Sequence, residues 1–170
     1  SLWLKNVQKP LLDKPKLLYV GRLKVEKGIF SLLKILKKMP EDINLSIVGQ
    51  KKKEIIFDKN INYIGHGYEA LDLIKIYDDH NIFILPSFTE AHPQVLDESL
   101  SRLRPVIIFE EISHVIGERE GVFVAKRNSS SLLETINYII KNYNEIQKKM
   151  KRNSLPTKKE FINKMMQILN

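Results

Sequence analysis

Residues 81–102 read Asn-Ile-Phe-Ile-Leu-Pro-Ser-Phe-Thr-Glu-Ala-His-Pro-Gln-Val-Leu-Asp-Glu-Ser-Leu-Ser-Arg. The apolar run in Asn81–Pro86 is continuous, which predicts a strand buried on both faces, as in a parallel sheet. Pro93–Arg102 predicts a helix with proline near its first turn, where a missing N–H costs nothing. Between them lies a short polar loop. A buried strand feeding a helix through such a loop is half of a βαβ unit, so the remaining chain is read for the same alternation.

The alternation recurs on both sides. Leu17–Gly21 is an apolar run ending in glycine, and Gly28–Lys38 has helical period until Met39-Pro40 stops it. Leu45–Gly49 and Asn62–Gly65 read as strands, and Glu69–Asp79 as an amphipathic helix. Val106–Phe109 and Val122–Ala125 are further strands. Ser130–Lys141 is a helix capped by Asn128 or Ser129, and the polar stretch after it stays helical to Asn153. Pro156 and Thr157 start a last amphipathic helix carrying Phe161, Met165, Ile168 and Leu169. Strands separated by helices predict an α/β fold: a Rossmann-like, doubly wound parallel sheet of six strands with helices on both faces. Residues 1–15 read as a leader from an interdomain connection, and residues 16–170 as one domain including the terminal helix. The chain starts at Ser1 rather than Met, which suggests a piece of something larger.

Composition narrows the function classes. The 170 residues are 43% hydrophobic and 28% charged, as in ordinary soluble domains. Without cysteine, disulfides, thiolate metal sites and cysteine nucleophiles are excluded; this fits a reducing, cytoplasmic setting. No apolar run approaches the ~20 residues that span a bilayer. The net charge of +8 comes from lysines spread along the chain, a pattern that AT-rich codon usage produces by itself. A functional basic face would suit phosphates or a membrane surface better than nucleic acid.

In a parallel sheet the chemistry sits at the carboxyl ends of the strands. After the first strand come Gly21, Arg22, Lys27 and Gly28. Gly21 allows a sharp turn, Gly28 opens a helix whose dipole favours an anion, and the two cations flank the loop. A diphosphate asks for that combination of guanidinium, ammonium and free amides, and a surface loop of a lysine-rich protein is the alternative. After the fourth strand, Glu90 lies in the loop and Glu98 in the next helix. Each could accept a pair of hydroxyl hydrogen bonds from a sugar diol, or Glu90 could serve only the helix dipole while Glu98 stays exposed.

The order VGRLKVEKG, LSIVG, NYIGHG, FILPSFTEAHPQVLDESLS and RPVI resembles the carboxyl-terminal domain of family 4 retaining glycosyltransferases of the GT-B fold. The resemblance runs from about Lys16 to the final helix. It rests on the two glutamates with seven residues between them after a Pro-Ser strand end and on the Arg22-to-Lys27 step before Gly28. It implies that Arg22 and Lys27 hold the donor's diphosphate beside Gly21, that Glu90 contacts the transferred sugar, and that Glu98 grips the ribose diol. It also implies that the backbone of Ala91, His92, Pro93 and Gln94 approaches sugar and phosphate, and that the turn Gly65–Tyr68 lies near the base. A nucleotide-diphosphate sugar would be substrate, with no cofactor and no metal. An N-terminal GT-B domain, absent here, would hold the acceptor, so the isolated domain is expected to be inactive. The setting implied is synthesis of cell-surface polysaccharide or glycolipid, with peripheral association of the full enzyme at the inner membrane face left open. The family usually has glycine where Ala91 stands and near Leu103, and an aromatic or small residue where His92 stands. A non-catalytic nucleotide-binding module and a sugar-nucleotide epimerase half are the alternatives.

Two other patterns are read as structural. Gly65-His66-Gly67-Tyr68-Glu69-Ala70 fits a loose dinucleotide fingerprint, but it follows the third strand rather than the first. Asp78-Asp79-His80 sits at a helix end, where capping is the expected use, and the four histidines show no zinc spacing.

Overall fold

The computed structural model describes residues 2–51 and 55–155. Six strands form one parallel sheet: β1 (Lys16–Val20), β2 (Asn44–Val48), β3 (Ile61–Gly65), β4 (Ile82–Leu85), β5 (Val106–Phe109) and β6 (Val122–Ala125). Their spatial order is β3-β2-β1-β4-β5-β6, so the α/β, Rossmann-like reading holds. Among the described residues five α-helices surround the sheet: α1 (Ile29–Leu36), α2 (Ala70–Asp78), α3 (Gln94–Ser101), α4 (Ser129–Lys141) and α5 (Tyr143–Met150). The last helix expected from sequence lies outside the described residues.

The central apolar runs become strands covered on both faces, while the edge strands β3 and β6 are only partly covered. Every residue of β4 and β5 is at most 2% exposed. Sequence alternation alone does not state which strands are neighbours. β1 pairs with β4 through Leu17↔Ile82 and Leu18↔Phe83, although the whole of β2, β3 and α2 lies between them in sequence. This is where the strand order reverses, and it leaves a crevice between the loops that follow β1 and β4.

Helix ends match their local chemistry. Asn128 caps α4, its Oδ1 accepting from the Ser131 amide at 2.9 Å. Gly28 ends a 3-10 turn at Val25–Lys27 and precedes α1 with φ of 68°; a Cβ there would sit 1.8 Å from the Pro86 carbonyl oxygen. Leu103 follows α3 with φ of 54°, a left-handed conformation that costs a non-glycine residue about 1–2 kcal/mol.

Residues 3–8 are strapped to the sheet's helices by two buried arginines. Arg102 and Arg104 are each 1% exposed. Arg102 donates to the carbonyls of Trp3, Lys5 and Asn6 at 2.8–3.1 Å, and Arg104 to that of Gln8 at 2.9 Å. Asn81 adds bonds to the Leu11 and Lys14 carbonyls, and Trp3 packs edge-on against Tyr77. The counter-charge is Asp78, 2.6 Å from Arg102. The capping expected of Asp78 is therefore corrected to a buried ion pair, while His80 bonds the Ile76 carbonyl as a helix-end residue does.

Removing Asp78 would leave Arg102 buried without its counter-ion, a loss of about 3–5 kcal/mol. Denaturant unfolding of Asp78→Ala should show a stability loss of that size, with faster amide exchange over residues 3–8. A loss below about 1 kcal/mol would contradict the strap.

Candidate functional site

The loops after β1 and β4 form a cleft of about 380 Å³, lined by Gly21, Arg22, Lys27, Ser87, Glu90 and His92 among others. The two motifs noted in the sequence thus meet. Lys27 Nζ lies 2.7 Å from Glu90 Oε1, and Ser87 Oγ donates to the same oxygen at 2.7 Å. Both side chains are largely sheltered, at 22% and 11% exposure. Neither bond uses Oε2, and Arg22 next to them is exposed.

The loop after β1 has this shape for a reason the sequence concealed. Gly21 does not take a left-handed conformation; a Cβ there would meet the Tyr19 hydroxyl at 2.8 Å. Tyr19 is almost fully buried at the end of β1, and its hydroxyl donates to the Arg22 carbonyl at 2.7 Å. Burial pushes its pKa far above the ordinary phenol value, with the Glu90 carboxylate adding to the shift. Tyr19 therefore acts as a neutral donor holding the turn that presents Arg22. A large polar side chain near the end of an otherwise apolar strand was the available signal.

Pro93 precedes α3 in extended conformation, and Gln94 is its first residue. His92, Pro93, Gln94 and Val95 line the cleft. Ala91 is exposed beside them. His92 Nε2 lies 3.2 Å from Asp97, whose other oxygen accepts from Arg119 Nε at 2.8 Å, so the imidazole is tethered at the mouth.

Glu98 lies on α3 away from the cleft lining. It is half-buried rather than exposed, and Tyr77 donates to its Oε2 at 3.1 Å. Burial raises its pKa; the Tyr77 hydrogen bond opposes this and Asp97 adds to it. Gly65 and Tyr68 stand at the end of β3, on the far side of β2, and do not join the cleft. Gly65 has φ of 132°, and the Tyr68 hydroxyl folds back onto the Ile64 carbonyl at 2.8 Å. Among the described residues, no group of three or more His, Asp or Glu could hold a metal ion, and no helix is long and apolar enough to cross a membrane.

A second hollow of about 490 Å³ lies between α1 and the start of α4, bordered by Lys34, Lys38, Arg127 and Ser129. It holds cations but no carboxylate to receive a diol.

Comparisons with known proteins bear on the family and the fold. TuaC of Bacillus subtilis (strain 168), named as a glycosyltransferase of teichuronic acid biosynthesis, is 28% identical over 130 residues, covering 74% of this chain and 33% of TuaC. CapM of Staphylococcus aureus, named as a capsular polysaccharide biosynthesis glycosyltransferase, is 27% identical over 138 residues, covering 72% of this chain and 36% of CapM. The chain spans about a third of the length of these relatives. Among solved structures, sucrose-phosphate synthase from Thermosynechococcus elongatus superposes with TM-score 0.74 at 18% identity, covering 94% of this chain and 45% of that one. Anabaena Alr3699/HepE, solved with UDP and glucose, gives 0.66 at 16% identity over 83% and 42%. The glycosyl transferases group 1 family matches residues 4–155, and the chain belongs to that family.

Proposed function

We propose that this chain is the donor-binding half of a retaining glycosyltransferase, taking a nucleotide-diphosphate sugar in the cleft between the loops after β1 and β4. The observation that carries the reading is the convergence of Lys27, Ser87 and Glu90, with Arg22 alongside, at the reversal point of the sheet. Relatives named for polysaccharide synthesis and a fold neighbour solved with UDP and glucose support it.

Each residue type has work that fits its position. Breaking the bond from the anomeric carbon to the diphosphate builds negative charge on the leaving oxygens. Arg22 offers a planar fork and Lys27 a point charge to meet it. Lys27 already neutralises Glu90, so an arriving diphosphate shares that ammonium rather than entering beside a bare carboxylate. Glu90 then accepts hydrogen bonds from hydroxyls of the transferred sugar through Oε2. Glu98 lies one helical turn beyond the cleft-lining Gln94, so the ribose would extend past the cleft to reach its Oε1, which Tyr77 leaves unused. The acceptor would be seated by an N-terminal domain, so this chain alone binds donor and transfers no sugar.

Three outcomes are expected. Arg22→Ala and Lys27→Ala should each weaken UDP binding about 10- to 150-fold, the worth of one charge-assisted contact, and leave uridine binding nearly unchanged. EDTA should have no effect; collapse of UDP binding on chelation would place the phosphates on a metal instead.

The glutamates should separate by ligand. Glu98→Gln should weaken UDP and UDP-glucose by similar factors, because ribose is common to both. Glu90→Gln should weaken UDP-glucose alone. Equal weakening of both ligands by Glu90→Gln in calorimetric titration would reverse the assignment.

Glu98 should also cost the empty protein stability. Its carboxyl is held above the ordinary value by burial, so the folded state binds the proton more tightly than the unfolded one. That contribution is full below the unfolded value of about 4.3 and is lost as pH rises through the raised folded value. Glutamine cannot ionise yet still accepts from Tyr77. The melting temperature of Glu98→Gln should therefore gain on wild type as pH rises from about 4 to 7. A constant difference across that range would contradict the burial shift.

A further inference from the structure

Arg127 lies between β6 and α4, outside every motif singled out in the sequence, and its side chain is 14% exposed. Nη1 donates to the Pro86 carbonyl at 2.9 Å and Nη2 to the Ser87 carbonyl at 3.3 Å. On its other edge Nε and Nη2 meet the two oxygens of Glu111 at 2.7 and 3.1 Å. The guanidinium is sandwiched between rings, 4.1 Å from the Phe88 centroid and 4.3 Å from that of Phe109. Its planarity, its two aromatic contacts and four of its five donors are used, which lysine could not reproduce.

What it holds is the loop that carries Glu90. Pro86 is wedged between this guanidinium and Gly28, where a Cβ would collide with its carbonyl. The Phe88 amide donates to the Glu26 carbonyl at 3.0 Å, tying the loop to the turn that bears Lys27. Farther on, His114 Nε2 donates to the Glu90 carbonyl at 2.8 Å. His114 and Glu111 lie on either side of a kink at Ile112 in the 3-10 segment Glu110–Val115, so both loop anchors rest on the segment after β5.

Resting on the donor-site reading above, we propose that Arg127, with Glu111 as its counter-ion, is a positioning residue: it sets the Pro86–Glu90 backbone so that Ser87 and Glu90 face the transferred sugar. It touches no ligand itself. Its effect should therefore appear in recognition of the sugar and not of the nucleotide, since Arg22 and Lys27 lie on the other loop.

The test uses the chain with two probes, UDP and UDP-glucose, titrated against wild type, Glu90→Gln, Arg127→Lys and Glu111→Gln, with amide exchange followed at residues 88–92. Arg127→Lys should lower UDP-glucose affinity by about tenfold, the low end for partners that orient a ligating group, with UDP affinity nearly unchanged and exchange at 88–92 accelerated. Glu111→Gln should move both readouts the same way by less, and it decides the matter if Arg127→Lys fails to fold. Loss of thermal stability in both variants with wild-type selectivity and wild-type exchange at 88–92 would overturn the proposal, leaving Arg127 a packing residue. If wild type does not bind UDP-glucose, or binds it no better than Glu90→Gln does, the donor reading for these probes fails instead. Unchanged exchange at 88–92 would then overturn the Arg127 proposal as well.

Discussion

The pairing of β1 with β4 is the constraint on which the site depends. A parallel strand cannot return to its neighbour through a tight turn, so every connection crosses over and every strand ends on the same side. Placing β4 next to β1 brings together two loops that are 63 residues apart at the Lys27–Glu90 contact. No local feature of either loop makes the site. The register Leu17↔Ile82 and Leu18↔Phe83 does, and the buried apolar residues of both strands fix that register.

Once the loops face each other, side-chain and backbone hydrogen bonds lock them. Tyr19 fixes the Arg22 end, Arg127 and Gly28 close on Pro86, and His114 holds the Glu90 carbonyl. The cleft is thus preorganised by groups that need not touch donor. Glu98 shows the opposite side of the same economy. Its burial disfavours its own charge, and the Tyr77 hydrogen bond offsets only part of that.

Much of this was legible in the sequence, for physical reasons. The strands stood out because buried parallel strands are continuous apolar runs, and β5 and β6 fall where the runs do. Gly21, Arg22, Lys27, Glu90 and the 92–94 stretch come together because strand-end loops are the place for chemistry in such folds. What stayed hidden acts through backbone carbonyls. Arg127 and Arg102 look like surface cations in a lysine-rich chain, yet each disappears into a set of carbonyl oxygens that no composition or period encodes. The 3-10 turn at Glu110–Val115 has no helical period to announce it. Residues 1–15 read as a leader, but nothing in their polarity predicted the bonds to Arg102, Arg104 and Asn81.

The most direct measurement is a crystal structure of the chain with UDP-glucose. The diphosphate should lie within hydrogen-bond reach, about 3 Å, of the Arg22 guanidinium and the Lys27 ammonium, with the glucose against Glu90 and the ribose against Glu98. A diphosphate seated instead in the hollow between α1 and α4, on Lys34 and Lys38 with the cleft between the β1 and β4 loops empty, would contradict the account.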